Sequence, residues 1–326
     1  MLTKTFVALA CLAATATASW PDIQVSSQNV TVSGLSAGAF FAVQYHVAFS
    51  ASITGAGIVA GGPYYCAEDE MAEALTMCMN TPEMINLERL YSATEGFAAS
   101  KSIDATSNMA SDNVYLYSGT NDHVVNSAAM HKLQTYYEHY VTNGNITTEY
   151  TVDSAHGMPT LDYGNPCSLQ GEPYIQKCEY DGAGHILQTL YGTLNPRGTA
   201  SDSNIISFDQ TAFGSADALL GPTGYMYVPT ACRNASACRL HIVFHGCQQQ
   251  IERIHEDYIK HTGYNEWAES NNLVILYPQC KATELVGNPN ACFDWWGYTN
   301  KQYATQNGSQ MKVIRAMQDK LTGASK

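Results

Sequence analysis

Basic residues are scarce in this chain of 326 residues. Sixteen Lys and Arg stand against 29 Asp and Glu, a formal net charge of -13. Phosphate backbones are gripped by Lys and Arg, so the composition argues against a nucleic-acid partner. It argues against docking on an anionic membrane surface for the same reason. After the N-terminal segment no apolar run approaches the ~20 residues of a spanning helix, so no membrane span is expected. There is no CxxC pair and no HExxH motif. His255-Glu256 is followed by a histidine only at His261, a spacing that does not place two ligands on one helical face. No metal and no cofactor is expected. Repeats, low-complexity tracts and long linkers are also missing.

What is present begins with a leader. Lys4 precedes an apolar run from Phe6 to Ala14, and Ala16-Thr17-Ala18 is a small-x-small cleavage site. Residues 1–18 are expected to be a secretory signal peptide and residues 19–326 a single catalytic domain, exported and extracellular. Nine cysteines remain after Cys11 leaves with the leader. Cys66/Cys78, Cys167/Cys178 and Cys232/Cys238 are spaced to staple short loops, as an oxidising compartment allows. Cys247 and Cys292 are then available for a longer bridge, which leaves Cys280 as the odd thiol. Sequons at Asn29, Asn145, Asn234 and Asn307 permit N-glycosylation in a eukaryotic host.

Strand and helix patterns alternate. Residues 30–32, 53–60, 114–117, 147–152, 225–228, 240–244 and 273–277 read as strands. Residues 37–49, 127–141, 251–270 and 311–321 read as helices. This alternation predicts an α/β fold: a mostly parallel central sheet with helices on both faces.

Between the first strand and the first helix lies Gly34-Leu35-Ser36-Ala37-Gly38, the nucleophile-elbow pattern GxSxG. The turn is so tight that its flanking positions must carry almost no side chain. A serine needs a base, and the base needs an orienting acid. Asp122 and His156 each follow a predicted strand, so both fall at the sheet edge that presents Ser36. Ser36, Asp122 and His156 are therefore expected to form a hydrogen-bonded catalytic triad, in the chain order of the α/β-hydrolases. His131 and His139, on a predicted helix, are assigned to surface or packing. His245-Gly246-Cys247 follows another strand, the usual setting of an oxyanion donor. The N–H groups of Ala37 and Cys247 are expected to form the oxyanion hole.

The order of these parts is unusual. In an ordinary α/β-hydrolase the His-Gly strand precedes the GxSxG strand, and here it follows by about two hundred residues. Moving residues from about 224 to 326 ahead of residue 25 restores the standard order. The chain therefore reads as a circularly permuted α/β-hydrolase.

This order resembles the secreted, single-domain poly(3-hydroxybutyrate) depolymerases of the fungal type. The likeness rests on residues 33–38, Ala60-Gly61-Gly62-Pro63-Tyr64-Tyr65-Cys66, Tyr180-Asp181-Gly182-Ala183-Gly184, His245-Gly246-Cys247 and residues 288–295. It implies the same triad and the same oxyanion donors, Ala37 and Cys247. It also implies a tryptophan wall in the substrate crevice, for which Trp295 is the match, and no lid or separate polymer-binding domain. The implied partner is a hydrophobic polyester; a solid polymer must be met by exposed apolar groups, and Trp295 and Trp296 are read either as such surface contacts or as core packing. The protein is expected to be a monomer. A secreted carboxylesterase or lipase acting on small or plant-derived esters is the alternative. A non-catalytic binding protein on the same scaffold is a second.

Overall fold

The computed structural model describes residues 20–214, 216–233 and 238–324. The expected leader and the sequon at Asn234 lie outside the described residues.

Four strands come first: β1 (Val30–Leu35), β2 (Ile53–Val59), β3 (Asn113–Tyr117) and β4 (Asn145–Glu149). Three short strands follow, β5 (Met158–Thr160), β6 (Asn165–Pro166) and β7 (Ile175–Lys177), which pair into a small sheet of their own. The last four are β8 (Ile205–Asp209), β9 (Thr223–Tyr227), β10 (Arg239–Phe244) and β11 (Leu273–Tyr277). The main sheet has eight strands in the order β4-β3-β2-β1-β10-β11-β9-β8. Pairing is parallel from β4 through β11 and antiparallel where β9 meets β11 and β8.

Helices cover both faces. The longer ones are α1 (Ala37–Ala48), α2 (Leu87–Ala99), α3 (Ala128–Tyr140), α4 (Gly182–Tyr191), α5 (Tyr264–Asn271) and α6 (Ser309–Thr322). Successive strand residues point to opposite faces, so Ser33 and Gly34 report on the two sides. Ser33 Oγ hydrogen-bonds the Tyr264 hydroxyl of α5 at 2.7 Å, and on the same face a Cβ at Gly57 would press on Ile186 of α4. A Cβ at Gly34 would instead collide with the Gly38 carbonyl of α1, on the other face. α3 and α6 join α1 there through Tyr137 to His46 and Gln318 to Tyr45. Every residue of α1 is buried, which explains a helix of Ala, Phe and Val without a polar stripe.

The permutation is visible in the sheet. Read from Ile205 onward and then from Trp20, the strands sweep across the sheet with one transposition. The segment ahead of β1 meets the end of α6, as such a rearrangement requires: Val25 N–H donates to the Leu321 carbonyl at 2.8 Å. The boundary differs from the expected residue 224. β8 pairs antiparallel with β9 and so belongs to the moved half, which begins before Ile205.

The expected helix over 251–270 is three short ones: Ile251–Ile254, Asp257–His261 and α5. His255 (φ 53°) and Gly263 (φ 92°) turn the chain between them. β4 spans 145–149 where 147–152 was expected, and α2, α4 and β8 were not anticipated. The three disulfides read from spacing form, as does the longer Cys247–Cys292 bridge, and Cys280 is free and buried. Among the described residues, no helix is long and apolar enough to cross a membrane.

Candidate active site

Ser36 sits between β1 and α1 with φ 57° and ψ -123°, a backbone conformation that L-residues avoid. It is held there on both sides. Ser36 N–H donates to the Val59 carbonyl of β2 at 2.9 Å, and its own carbonyl accepts from Ala39 and Phe40. The two glycines of the motif have separate reasons. A Cβ at Gly34 would lie 2.2 Å from the Gly38 carbonyl oxygen, and one at Gly38 would lie 2.3 Å from that of Phe244 at the end of β10. Serine at a helix N-cap normally spends its hydroxyl on a free N–H. Ser36 does not cap α1, so its Oγ remains available at the sheet edge.

Asp122 lies on the loop after β3, His156 on the loop after β4. The two loops are hydrogen-bonded to each other: Thr120 N–H reaches the Val152 carbonyl and Asn121 N–H the Ser154 carbonyl. Gly119 makes that approach possible, since a Cβ there would lie 2.1 Å from the Ser154 oxygen. Asp122 Oδ1 accepts from the N–H groups of Val124 and Val125, at 2.8 and 3.0 Å. Its Oδ2 accepts from His156 Nδ1 at 2.8 Å, and both side chains are buried. His156 is fixed from behind as well: its N–H donates to Gln170 Oε1 and its carbonyl accepts from Gln176 Nε2. The Nδ1–H donation leaves Nε2 as the free acceptor nitrogen.

Ser36 and His156 line one crevice of about 460 Å³. No hydrogen bond joins Ser36 Oγ to His156, so of the expected series the Asp122–His156 link is formed and the Ser36–His156 link is open. Such contacts commonly tighten only when substrate is bound. Ala37 and Cys247 line the same crevice, and neither backbone N–H has a hydrogen-bond partner among the described residues. Trp295 lines it too, stacked on Phe40 with ring centroids 4.0 Å apart. Both Trp295 and Trp296 are largely buried and contribute wall, so of the two readings left open for them packing fits better than exposed contact. His139 stacks on Tyr91 and His131 meets Tyr150 edge to face, and neither lines the crevice. Among the described residues no cluster of His, Cys, Asp and Glu is placed to hold a metal ion.

No family model matches the chain. A polyhydroxybutyrate depolymerase of Talaromyces funiculosus is 35% identical over 94% of this chain and 93% of its own length. The chain belongs to the polyhydroxybutyrate depolymerase family. A poly(3-hydroxybutyrate) depolymerase of Delftia acidovorans is 43% identical over 94% of this chain, which spans 62% of that relative's length. Two solved family structures superpose with TM-scores of 0.86 and 0.85, each at 31% identity over 94% of this chain and the whole of the other. One is a PHB depolymerase with a serine-to-alanine substitution, complexed with an R3HB trimer. The other is the enzyme from Penicillium funiculosum.

Sequence reasoning missed several residues of this crevice. Val124 and Val125 form wall immediately after Asp122, while Met71 and Leu75 stand at its exposed side. Gln249 was passed over inside a run of three glutamines, yet it is buried. It accepts the Gly246 N–H at 2.7 Å and donates to the carbonyls of Pro173 and Tyr174. A polar residue two positions beyond a predicted oxyanion donor was the only available signal.

Proposed function

We propose that the chain is a secreted, monomeric serine esterase that cleaves polyhydroxybutyrate through an acyl-enzyme on Ser36. Ser36 Oγ attacks the ester carbonyl while its proton passes to His156 Nε2. Asp122 holds the imidazole in the reactive tautomer and stabilises the imidazolium. The carbonyl oxygen, now carrying negative charge, is received by the N–H groups of Ala37 and Cys247. Each such donor is worth roughly 3 kcal/mol in the transition state. Collapse expels the alcohol end of the polymer, protonated by His156. Water then repeats the sequence on the acyl-enzyme and releases the acid.

One observation carries this reading. A strained serine with an unspent hydroxyl shares a crevice with a histidine whose Nδ1 is already bonded to a buried aspartate. The substrate class is supported by the wall of Phe40, Val124, Val125 and Trp295. Exposed Met71, Leu75, Leu285 and Val286 add apolar surface nearby, where Met71 approaches Gly287 on the crevice wall. Four disulfides suit an extracellular protein.

The test is clearing of a polyhydroxybutyrate granule suspension, with short p-nitrophenyl esters run in parallel. Clearing is expected, and Ser36→Ala should lower it by roughly 10⁴-fold or more. Turnover of the soluble esters without clearing would replace the depolymerase with a small-ester carboxylesterase. Activity that survives Ser36→Ala would remove the nucleophile.

A further inference from the structure

The Gly246 backbone is held by two side chains that the reaction scheme above does not use. Its N–H, part of the His245–Gly246 peptide, donates to Gln249 Oε1 at 2.7 Å. Its carbonyl, part of the Gly246–Cys247 peptide, lies 2.7 Å from His245 Nδ1. A carbonyl only accepts, so Nδ1 carries the proton. The other ring nitrogen agrees, because Nε2 accepts the Cys280 N–H at 3.1 Å. His245 is thus a neutral histidine with both nitrogens assigned, buried and packed against the Phe293 ring with centroids 4.9 Å apart.

The geometry of a trans peptide gives this bond its consequence. Carbonyl and N–H of one peptide unit point in opposite directions within a rigid plane. A carbonyl of Gly246 drawn toward the buried imidazole aims the Cys247 N–H the opposite way, and Cys247 lines the crevice. Gly246 is the natural weak point. Without a Cβ it has the freest backbone of any residue, and a rotation of this one peptide would replace the donor with a carbonyl oxygen.

We infer that His245 and Gln249 are positioning residues, which fix the two peptides flanking Gly246 and thereby hold the Cys247 N–H as an oxyanion donor. This inference rests on the esterase reading, since it needs an oxyanion to serve. His245 touches neither nucleophile nor substrate; it acts through the peptide it orients. Gln249 ties the same turn to the loop carrying Tyr174, which also lines the crevice.

The test is a pair of substitutions that separate the two ring nitrogens. His245→Asn retains an N–H at the position of Nδ1, and His245→Gln moves its amide toward the position of Nε2. With a soluble p-nitrophenyl butyrate substrate, kcat should fall about a hundredfold in His245→Gln, the cost of one oxyanion donor. KM should change less than about twofold, as befits an interaction made only in the transition state. His245→Asn should keep kcat within roughly tenfold of wild type. Affinity for a trifluoromethyl ketone, whose adduct carries the oxyanion, should track kcat across the set. Equal loss in the Asn and Gln variants, or a change in KM in place of kcat, would overturn the inference. Should either histidine variant fail to fold, Gln249→Met provides the same reading: unchanged kcat in a folded Gln249→Met overturns it too. Wild-type turnover that does not depend on Ser36 would overturn the esterase reading itself, a separate result.

Discussion

Ser36 carries a side chain where the backbone favours none. A non-glycine residue at φ 57° costs on the order of 1–3 kcal/mol. The cost is met by the hydrogen bond to Val59 and by the packing of α1 against β10. Asp122 is more firmly tied still, with both carboxylate oxygens occupied. Asp122→Asn should keep the fold and the bonds to Val124 and Val125, but its amide N–H would face Nδ1 and favour the wrong tautomer. We expect kcat on p-nitrophenyl butyrate to fall roughly 10⁴-fold. A loss below about tenfold would mean that another group orients His156. These residues were readable because each comes with a local marker: a glycine either side of the serine, and a strand before the acid and the base. Gln249 and Gln170 had no such marker, since a glutamine that serves a distant loop looks like any other glutamine in sequence.

At the scale of elements, the join between α1 and β10 decides whether the site exists. A Cβ at Gly38 would meet two backbone oxygens, those of Phe244 and His245, and neither can rotate away. Gly38→Ala should therefore destabilise the fold by about 1–3 kcal/mol in urea unfolding, with kcat reduced as the elbow shifts. A variant as stable and active as wild type would show that this contact is slack. Of the elements that escaped sequence reading, α4 has a cause in its glycines. α4 opens with Gly182 and Gly184, poor helix formers required because a Cβ would press on the Pro159 carbonyl and on Trp267 Nε1. Its N-cap, Asp181, accepts the Gly184 N–H and also the Trp267 indole N–H. The broken helix over 251–270 failed in the opposite sense. Its apolar spacing is helical throughout, and the turns at His255 and Gly263 are set by tertiary packing that no local period records.

For the whole molecule, burial of neutral histidines couples stability to pH. Burial pushes His241 from 6.5 down to about 3 and His245 down to about 4. The unfolded chain binds protons at these histidines as pH falls below 6.5, while the folded chain resists until about 4 and about 3. Stability contributed by the pair is thus present above pH 6.5 and lost as pH falls from 6.5 toward 4, then further toward 3 through His241 alone. The midpoint of thermal unfolding should fall over that range. Shedding the net charge of -13 acts the other way by easing self-repulsion. A comparison isolates the histidine: the slope should be shallower in His245→Asn than in wild type, and equal slopes would refute the assignment. The architecture was legible in sequence because GxSxG and His-Gly-Cys sit at strand ends whatever their order. The start of the moved half was misplaced because β8 is a partly exposed edge strand of weak alternation.

The permuted order also sets a timetable. Thr31 on β1 and His241 on β10 are hydrogen-bonded neighbours 210 residues apart. A chain emerging from the ribosome presents its serine early, with β2 soon available on one flank and the other flank vacant. The Gly246–Cys247 peptide and the Phe244 carbonyl on which Gly38 packs are made only in the last third. Until that third arrives, the nascent polypeptide carries Ser36 beside only one of its two proposed oxyanion donors, Ala37, and full esterase activity is expected to wait for the second.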